Sequence, residues 1–329
     1  MTLKIITFFS GVGMQEQGIK DLGIDYKLIN YCEYDTGISK AFDIIHNTTQ
    51  DDNLGDIRKI NPNDYYNKLK KEGNDDIDVI ISSFPCQSFS IAGKKEGFKD
   101  KKNGNLYDCQ FNIIKKIKPS VVIYENVKNI QNKKFGAVKK IEDSMNSIGY
   151  RCFHKVLNAI DYGIPQNRER WFMVCIRDPE ISFEFPTPLI LSKSVNDYVD
   201  KTHKDRMVSK DMVEYFNPKY LKQFKSNIGM KKVFDGTQQG YFESGFTTHR
   251  IYSINGISPT FTTSNDCHFY ELNGKLTSKE RWLLMGMHLN DYNKIKNHIS
   301  DSLIHKICGN GIVVDVFREL FTNIHLLNK

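Results

Sequence analysis

The chain has 329 residues, 40% apolar and 26% charged, enough for one large domain or two modest ones with a sizeable core; a single small module is excluded. No run approaches the roughly 18 uninterrupted apolar residues of a membrane span, and the opening MTLKIITFFSG has too short an apolar core for a secretory signal, so a soluble cytoplasmic protein is expected. The 46 basic and 39 acidic residues give a net charge of +7, which suits a polyanionic partner without establishing one, since basic runs such as KKEGFKDKKNG (94–104) also mark solvated loops.

In chain order, the first half alternates short β-branched runs with longer helical patterns. Strands are predicted at KIITFF (4–9), YKLINYCE (26–33), DVIIS (78–82) and SVVIYE (120–125), and helices at QEQGIKDL (15–22), TGISKAFDIIH (36–46) and LYDCQFNIIKKI (106–117). This alternation argues for βαβ units and a mostly parallel sheet covered on both faces. A further strand pair, CFHKVLNA (152–159) and RWFMVCIR (170–177), extends it. After Arg177 the rhythm is lost: DPEISFEFPTPLILSKS carries three of the nine prolines, and turn-rich, aromatic-dotted sequence follows. We expect a main domain of residues 1–195 and 277–329, closed by the helical pattern VVDVFRELFTNIHLL, and a smaller domain at 196–276.

Ligands of an open α/β sheet sit beyond the carboxyl ends of its strands. Those ends read FFSGVGM, CEYD, SFPCQ and YENV. Gly11 and Gly13 permit a tight turn close to a ligand, but Glu16 occupies the place of the third glycine in a dinucleotide fingerprint, which weakens a pyrophosphate reading. Glu33 is placed to take the two ribose hydroxyls of a nucleoside, Tyr34 to lie against an adenine, and Asp56 to receive its amino group; turn glycines and a surface acid remain the plainer alternative. The seven cysteines are scattered without a C-x-x-C pair, so most read as reduced core residues and no metal is expected. Cys86 differs: it follows Phe84–Pro85 and opens a glycine- and lysine-rich loop, a setting that suits a thiolate nucleophile. Glu125, ending the neighbouring strand, would be a carboxyl kept protonated by desolvation. An inert thiol and an ion-paired glutamate remain the alternative.

The five segments FFSGVGM, PCQSFS, ENV, YGIPQNRER and GNGIVV, in that order, resemble the cytosine-5 DNA methyltransferases of bacterial restriction–modification systems, from about Phe8 to Val314. The resemblance implies a Rossmann-like S-adenosylmethionine-dependent methyltransferase core with a smaller target-recognition domain at 196–276. It implies that Cys86 attacks carbon 6 of a cytosine in double-stranded DNA, that Glu125 holds and protonates ring nitrogen 3, and that Arg168 and Arg170 grip the carbonyl oxygen of the base and support the catalytic groups. Phe9, Gly11, Gly13, Glu33, Tyr34, Asp56, Ile57, Pro85, Leu106 and Asn310 fall on positions lining the cofactor pocket, and Arg250 on the motif between recognition domain and core. With this cofactor, which lacks a pyrophosphate, the missing third glycine is no defect. Met14 and Ala92 are mild departures. The implied target is an extruded base, with the loop carrying Gly93, Gly97 and Gly104 closing over the DNA and a monomer serving one recognition sequence, paired with a restriction endonuclease. A cytosine in transfer RNA is the alternative substrate.

Overall fold

Six runs rich in Val, Ile and aromatic residues pair into one sheet, as their composition requires. The computed structural model describes residues 2–85, 106–222, 229–243, 247–263 and 266–325. The elements in chain order are β1 (Leu3–Phe8), α1 (Met14–Asp21), β2 (Tyr26–Cys32), α2 (Thr36–His46), α3 (Pro62–Lys71), β3 (Val79–Ser82), α4 (Leu106–Ile117), β4 (Val121–Val127), α5 (Ala137–Asn146), β5 (Arg151–Asn158), the two-residue β6 (Gln166–Asn167) and β7 (Glu169–Ile176). The sheet order is β2-β1-β3-β4-β7-β5. β1 runs parallel to β2 and β3, and β3 to β4, whereas β7 is antiparallel to β4. This is the mixed sheet of a Rossmann-like core.

Every residue of β3 is buried, as are all but the last of β4, the signature of strands covered on both faces. One face, with Ile6, Phe8, Ile80, Val122, Tyr124 and Met173, packs against Leu69 of α3, Ile113 and Ile114 of α4, and Ile141 and Met145 of α5. Each such side chain contributes about 1.5–3 kcal/mol by leaving water. The alternate residues Ile5, Val79, Ile81, Ile123 and Val174 are buried too. Helices α3 and α5 were not among the expected elements. Each buries few residues, Tyr65 and Leu69 in one and Ala137, Ile141 and Met145 in the other, so the apolar stripe is thin. The start of α3 is nonetheless written in sequence: Asn61 accepts from the backbone N–H groups of Asn63 and Asp64, and Pro62 takes the first helical position.

The chain divides into two compact units: Met1–Leu157 with Glu169–Pro186 and Arg318–Lys329, and Asn158–Arg168 with Thr187–Phe317. The first holds the six-stranded sheet. The second contains β6, then β8 (Lys232–Asp235), β9 (Arg250–Tyr252), β10 (Ser258–Pro259), β11 (His268–Phe269), α6 (Ser278–Leu283), α7 (Leu289–Ile295) and α8 (Asp301–Asn310). Its strands form a three-stranded sheet, β11-β9-β8, and a short ladder of β10 with β6. A small cluster of Met212, Tyr215, Phe234 and Ile251 packs on the three-stranded sheet, with the Tyr215 ring stacked 4.8 Å from that of Phe234. Residues 277–317, expected in the main domain from the return of helical pattern, lie in this second unit, while α9 (Val314–His325) enters the first from Arg318 onward. No helix among the described residues is long and apolar enough to cross a membrane.

Candidate functional site

Sheet register sets the site. Phe8 lies opposite both Cys32 and Ser82, and Ser82 opposite Tyr124. The next residue on each strand, Phe9, Glu33, Ser83 and Glu125, therefore occupies a single row at the carboxyl edge. β7 runs the other way, so its amino end reaches the same edge: Arg170 is opposite Val127 and Phe172 opposite Glu125. Side chains alternate along a strand, which puts Glu125 and Arg170 on one face as diagonal neighbours.

On the β1 and β2 side, the turn Ser10–Gly13 is held by two backbone bonds, Ser10 N–H to Cys32 O at 3.1 Å and Gly13 N–H to Ser10 O at 3.0 Å. Phe9 takes φ 55°, a left-handed conformation that is uncommon for a bulky side chain. The two glycines serve different ends. At Gly11, φ is 59° and a Cβ would meet nothing within 4 Å, an open cradle beside the backbone; at Gly13, with φ 78°, a Cβ would fall 2.0 Å from His46 Nε2, so a side chain there must displace the His46 ring. Glu33 is fixed at both carboxylate oxygens, accepting from Gly11 N–H at 3.0 Å and Asp35 N–H at 2.8 Å. Asn53 clamps the Glu33 backbone in both directions, accepting from its N–H at 3.0 Å and donating to its carbonyl at 3.1 Å. Tyr34 is 72% exposed. Asp56 caps a short turn and its carboxyl is held below the usual range, chiefly by the guanidinium of Arg58 bonded to it. Ile57 and Leu106 are buried in the sheet's core cluster, and Pro85 follows β3. An open glycine cradle, an anchored carboxylate and an exposed aromatic ring are an acceptor and surfaces that fit S-adenosylmethionine.

On the β3 and β4 side, Glu125 is 5% exposed, and its Oε1 lies 3.3 Å from Arg170 Nε. The buried glutamate is thus ion-paired, the alternative that its residues alone had left open. Asn126 donates from Nδ2 to the Phe84 carbonyl at 3.0 Å, pinning the main chain just ahead of Cys86. Cys86, Ala92, Gly93, Gly97 and Gly104 lie outside the described residues. Of the remaining thiols, burial pushes Cys32 and Cys308 up to about 12, where a thiolate is negligible at neutral pH.

The second unit places Arg168 differently. Its guanidinium is buried and donates to the carbonyls of Gly309 at 2.8 Å, Gly311 at 2.6 Å and Phe261 at 3.4 Å. These bonds tie the QNRER segment to the GNG segment, a holding role that motif order alone does not disclose. Asn310 is exposed at the end of α8. Arg250 Nε faces Asp235 Oδ2 at 3.3 Å within the three-stranded sheet.

Sequence reasoning took Glu16 only as the residue in place of a third glycine and did not foresee its burial. Glu16 is fully buried in α1, and burial raises its carboxyl to about 7 against the bonding of Thr7 and the charge of Lys20. Asn53 and Asn126 were likewise passed over, because an asparagine that clamps backbone leaves no periodicity.

The family model for C-5 cytosine-specific DNA methylases matches residues 3–326. The chain is 30% identical to the type II methyltransferase M.HhaI of Haemophilus parahaemolyticus, over 98% of this chain and 94% of that protein. It is 29% identical to the type II methyltransferase M.Bsp6I of Bacillus sp. strain RFL6, covering 98% of each, and 28% identical to the orphan methyltransferase M.SPRI of Bacillus phage SPR, over 80% of this chain and 64% of that one. Among solved structures, the Dnmt2 methyltransferase of S. pombe superposes with a TM-score of 0.73 at 15% identity, covering all of both chains.

Proposed function

Starting from the fact that this chain belongs to the C-5 cytosine-specific DNA methylases, we propose that it methylates carbon 5 of a cytosine extruded from a specific duplex sequence, through a covalent adduct with Cys86. The observation that carries this reading is the Glu125–Arg170 ion pair, set in the same edge row as Glu33 and next to the strand that leads into Cys86. A cytosine ring is a poor target for a thiolate until nitrogen 3 accepts a proton or a strong hydrogen bond. Glu125, fixed on a central strand, supplies that contact in its protonated form, while Arg170 orients the carboxyl and reaches toward the carbonyl oxygen of the base. Attack by Cys86 on carbon 6 then makes carbon 5 electron-rich. Glu33, Tyr34, Asp56 and the Gly11 turn would hold S-adenosylmethionine, which would supply an electrophilic methyl group and leave as S-adenosylhomocysteine. Loss of the carbon 5 proton to water, expulsion of the Cys86 thiolate and return of the nitrogen 3 proton to Glu125 restore the aromatic ring.

Extrusion is needed because a stacked base hides the ring face that the thiol must approach, at a cost of a few kcal/mol. We assign target reading to residues 196–276, where Lys, Gln, Thr and Arg side chains suit phosphates and major-groove edges. We extend the proposal to protection of host DNA from a cognate endonuclease, which the match to type II relatives over 98% of this chain supports. Labelled methyl incorporation into duplex DNA and into structured RNA tests the reading: label in DNA that disappears in Cys86→Ser is expected, and label confined to RNA overturns it.

A further inference from the structure

The Asp56 carboxylate, the acceptor assigned above to the adenine amino group, is already engaged by the chain's own Arg58. Arg58 Nε donates to Oδ1 at 2.9 Å and to Oδ2 at 3.2 Å, Nη2 donates to Oδ2 at 2.7 Å, and the Arg58 backbone N–H donates to Oδ1 at 3.1 Å. The guanidinium is a planar set of N–H donors, the same chemistry that an adenine amino group presents. It is tethered only two residues away, so it competes at high effective concentration. In this same bonded position the Arg58 Cζ lies 6.0 Å from the ring centroid of exposed Tyr34, at the outer limit for a cation over an aromatic face.

Resting on the cofactor assignment made above, we propose that Arg58 is an internal competitor for the adenine group of the methyl donor, occupying Asp56 when the pocket is empty and displaced into solvent when the cofactor enters. The device sets affinity and release of the cofactor without touching the reacting atoms. The ion pair is half exposed, with 41% of the Arg58 side chain open to solvent, so its hold on Asp56 is modest. Removing it should tighten cofactor binding by about two- to fivefold, the scale of an exposed ion pair. Salt screens the pair, so the wild-type chain should bind more tightly as ionic strength rises, and the variant should not.

Calorimetric titration of the full chain with S-adenosylhomocysteine, at low and high salt, is the test. Arg58→Ala is expected to bind more tightly than wild type and to lose the salt response, with Arg58→Lys, which lacks the planar fork, falling between. Asp56→Ala should weaken binding by about tenfold or more, the loss of a hydrogen bond to a charged acceptor. Weaker or unchanged binding by Arg58→Ala, alongside a damaged Asp56→Ala, overturns the competitor alone; an undamaged Asp56→Ala overturns the adenine assignment together with the competitor. The salt response of the wild-type chain needs no variant, and a flat or falling affinity contradicts the proposal by itself.

Discussion

The two units bury charge for opposite reasons. In the first, an apolar sheet carries the ion pair Glu125–Arg170 at the edge where four strand ends meet. In the second, buried guanidiniums sit among apolar residues such as Trp282 and Ile304: Arg168 holds three carbonyls, Arg281 donates to Thr262 O at 2.7 Å and His305 O at 3.3 Å and pairs with Asp266, and Arg206 pairs with Glu280 at 2.7 Å. A buried charge is therefore not in itself a mark of chemistry. What separates the cases is whether its partners are backbone carbonyls, as for Arg168, or an acid at an open strand edge, as for Arg170.

Substitutions can break this contrast. The largest effect is expected for Glu125→Gln, which keeps the shape but cannot transfer a proton: kcat should fall by about 10²- to 10⁴-fold, with urea unfolding changing far less. Equal losses of activity and stability would make Glu125 a structural ion-pair partner like Glu280.

Arg168→Met should do the reverse. It leaves three carbonyls without their donor and should lower unfolding free energy by about 3 kcal/mol, read as a shift of the urea midpoint, and any loss of turnover should follow the loss of folded protein. A stable but inactive Arg168→Met would move this arginine into the chemistry.

The smallest effect concerns Glu16, the charge that the apolar unit does not accommodate. Its carboxyl sits at about 7 instead of 4.5 in the fold, so folding favours the protonated form; stability is fullest below 4.5 and is lost as pH rises through 7. Glu16→Gln should flatten that dependence and gain at most about 3 kcal/mol over wild type at pH 8. Melting temperatures across pH 5–8 that fall in parallel for both proteins would contradict it.

The same contrast explains what was legible in the sequence. Strands β1, β3, β4 and β7 read as apolar runs because both faces are covered, and α2 and α4 match their expected spans, Thr36–His46 and Leu106–Ile117. The carboxyl-edge rule located Gly11, Glu33 and Glu125, but not Arg170, since β7 is antiparallel and brings its amino end to that edge; the family motif supplied that residue. Strands of two to four residues, such as β8, β9, β10 and β11, are too short for any period to show. The start of α6 in the second unit carries a capping pair, Thr277 and Glu280, whose reciprocal bonds the sequence reading did not use. Clamps such as Asn53 and Asn126 depend on chain segments meeting in space and leave no local mark.

The central claim, a thiol adduct to cytosine in duplex DNA, is tested most directly by trapping. A duplex pool carrying 5-fluorocytosine, incubated with the protein and S-adenosylmethionine, blocks the loss of the carbon 5 substituent that would release the enzyme. The account predicts a complex that survives denaturation, with the DNA mass on the peptide containing Cys86, and none with Cys86→Ser. Methyl transfer to ordinary duplex DNA with no trapped complex, or a complex through another residue, would contradict it.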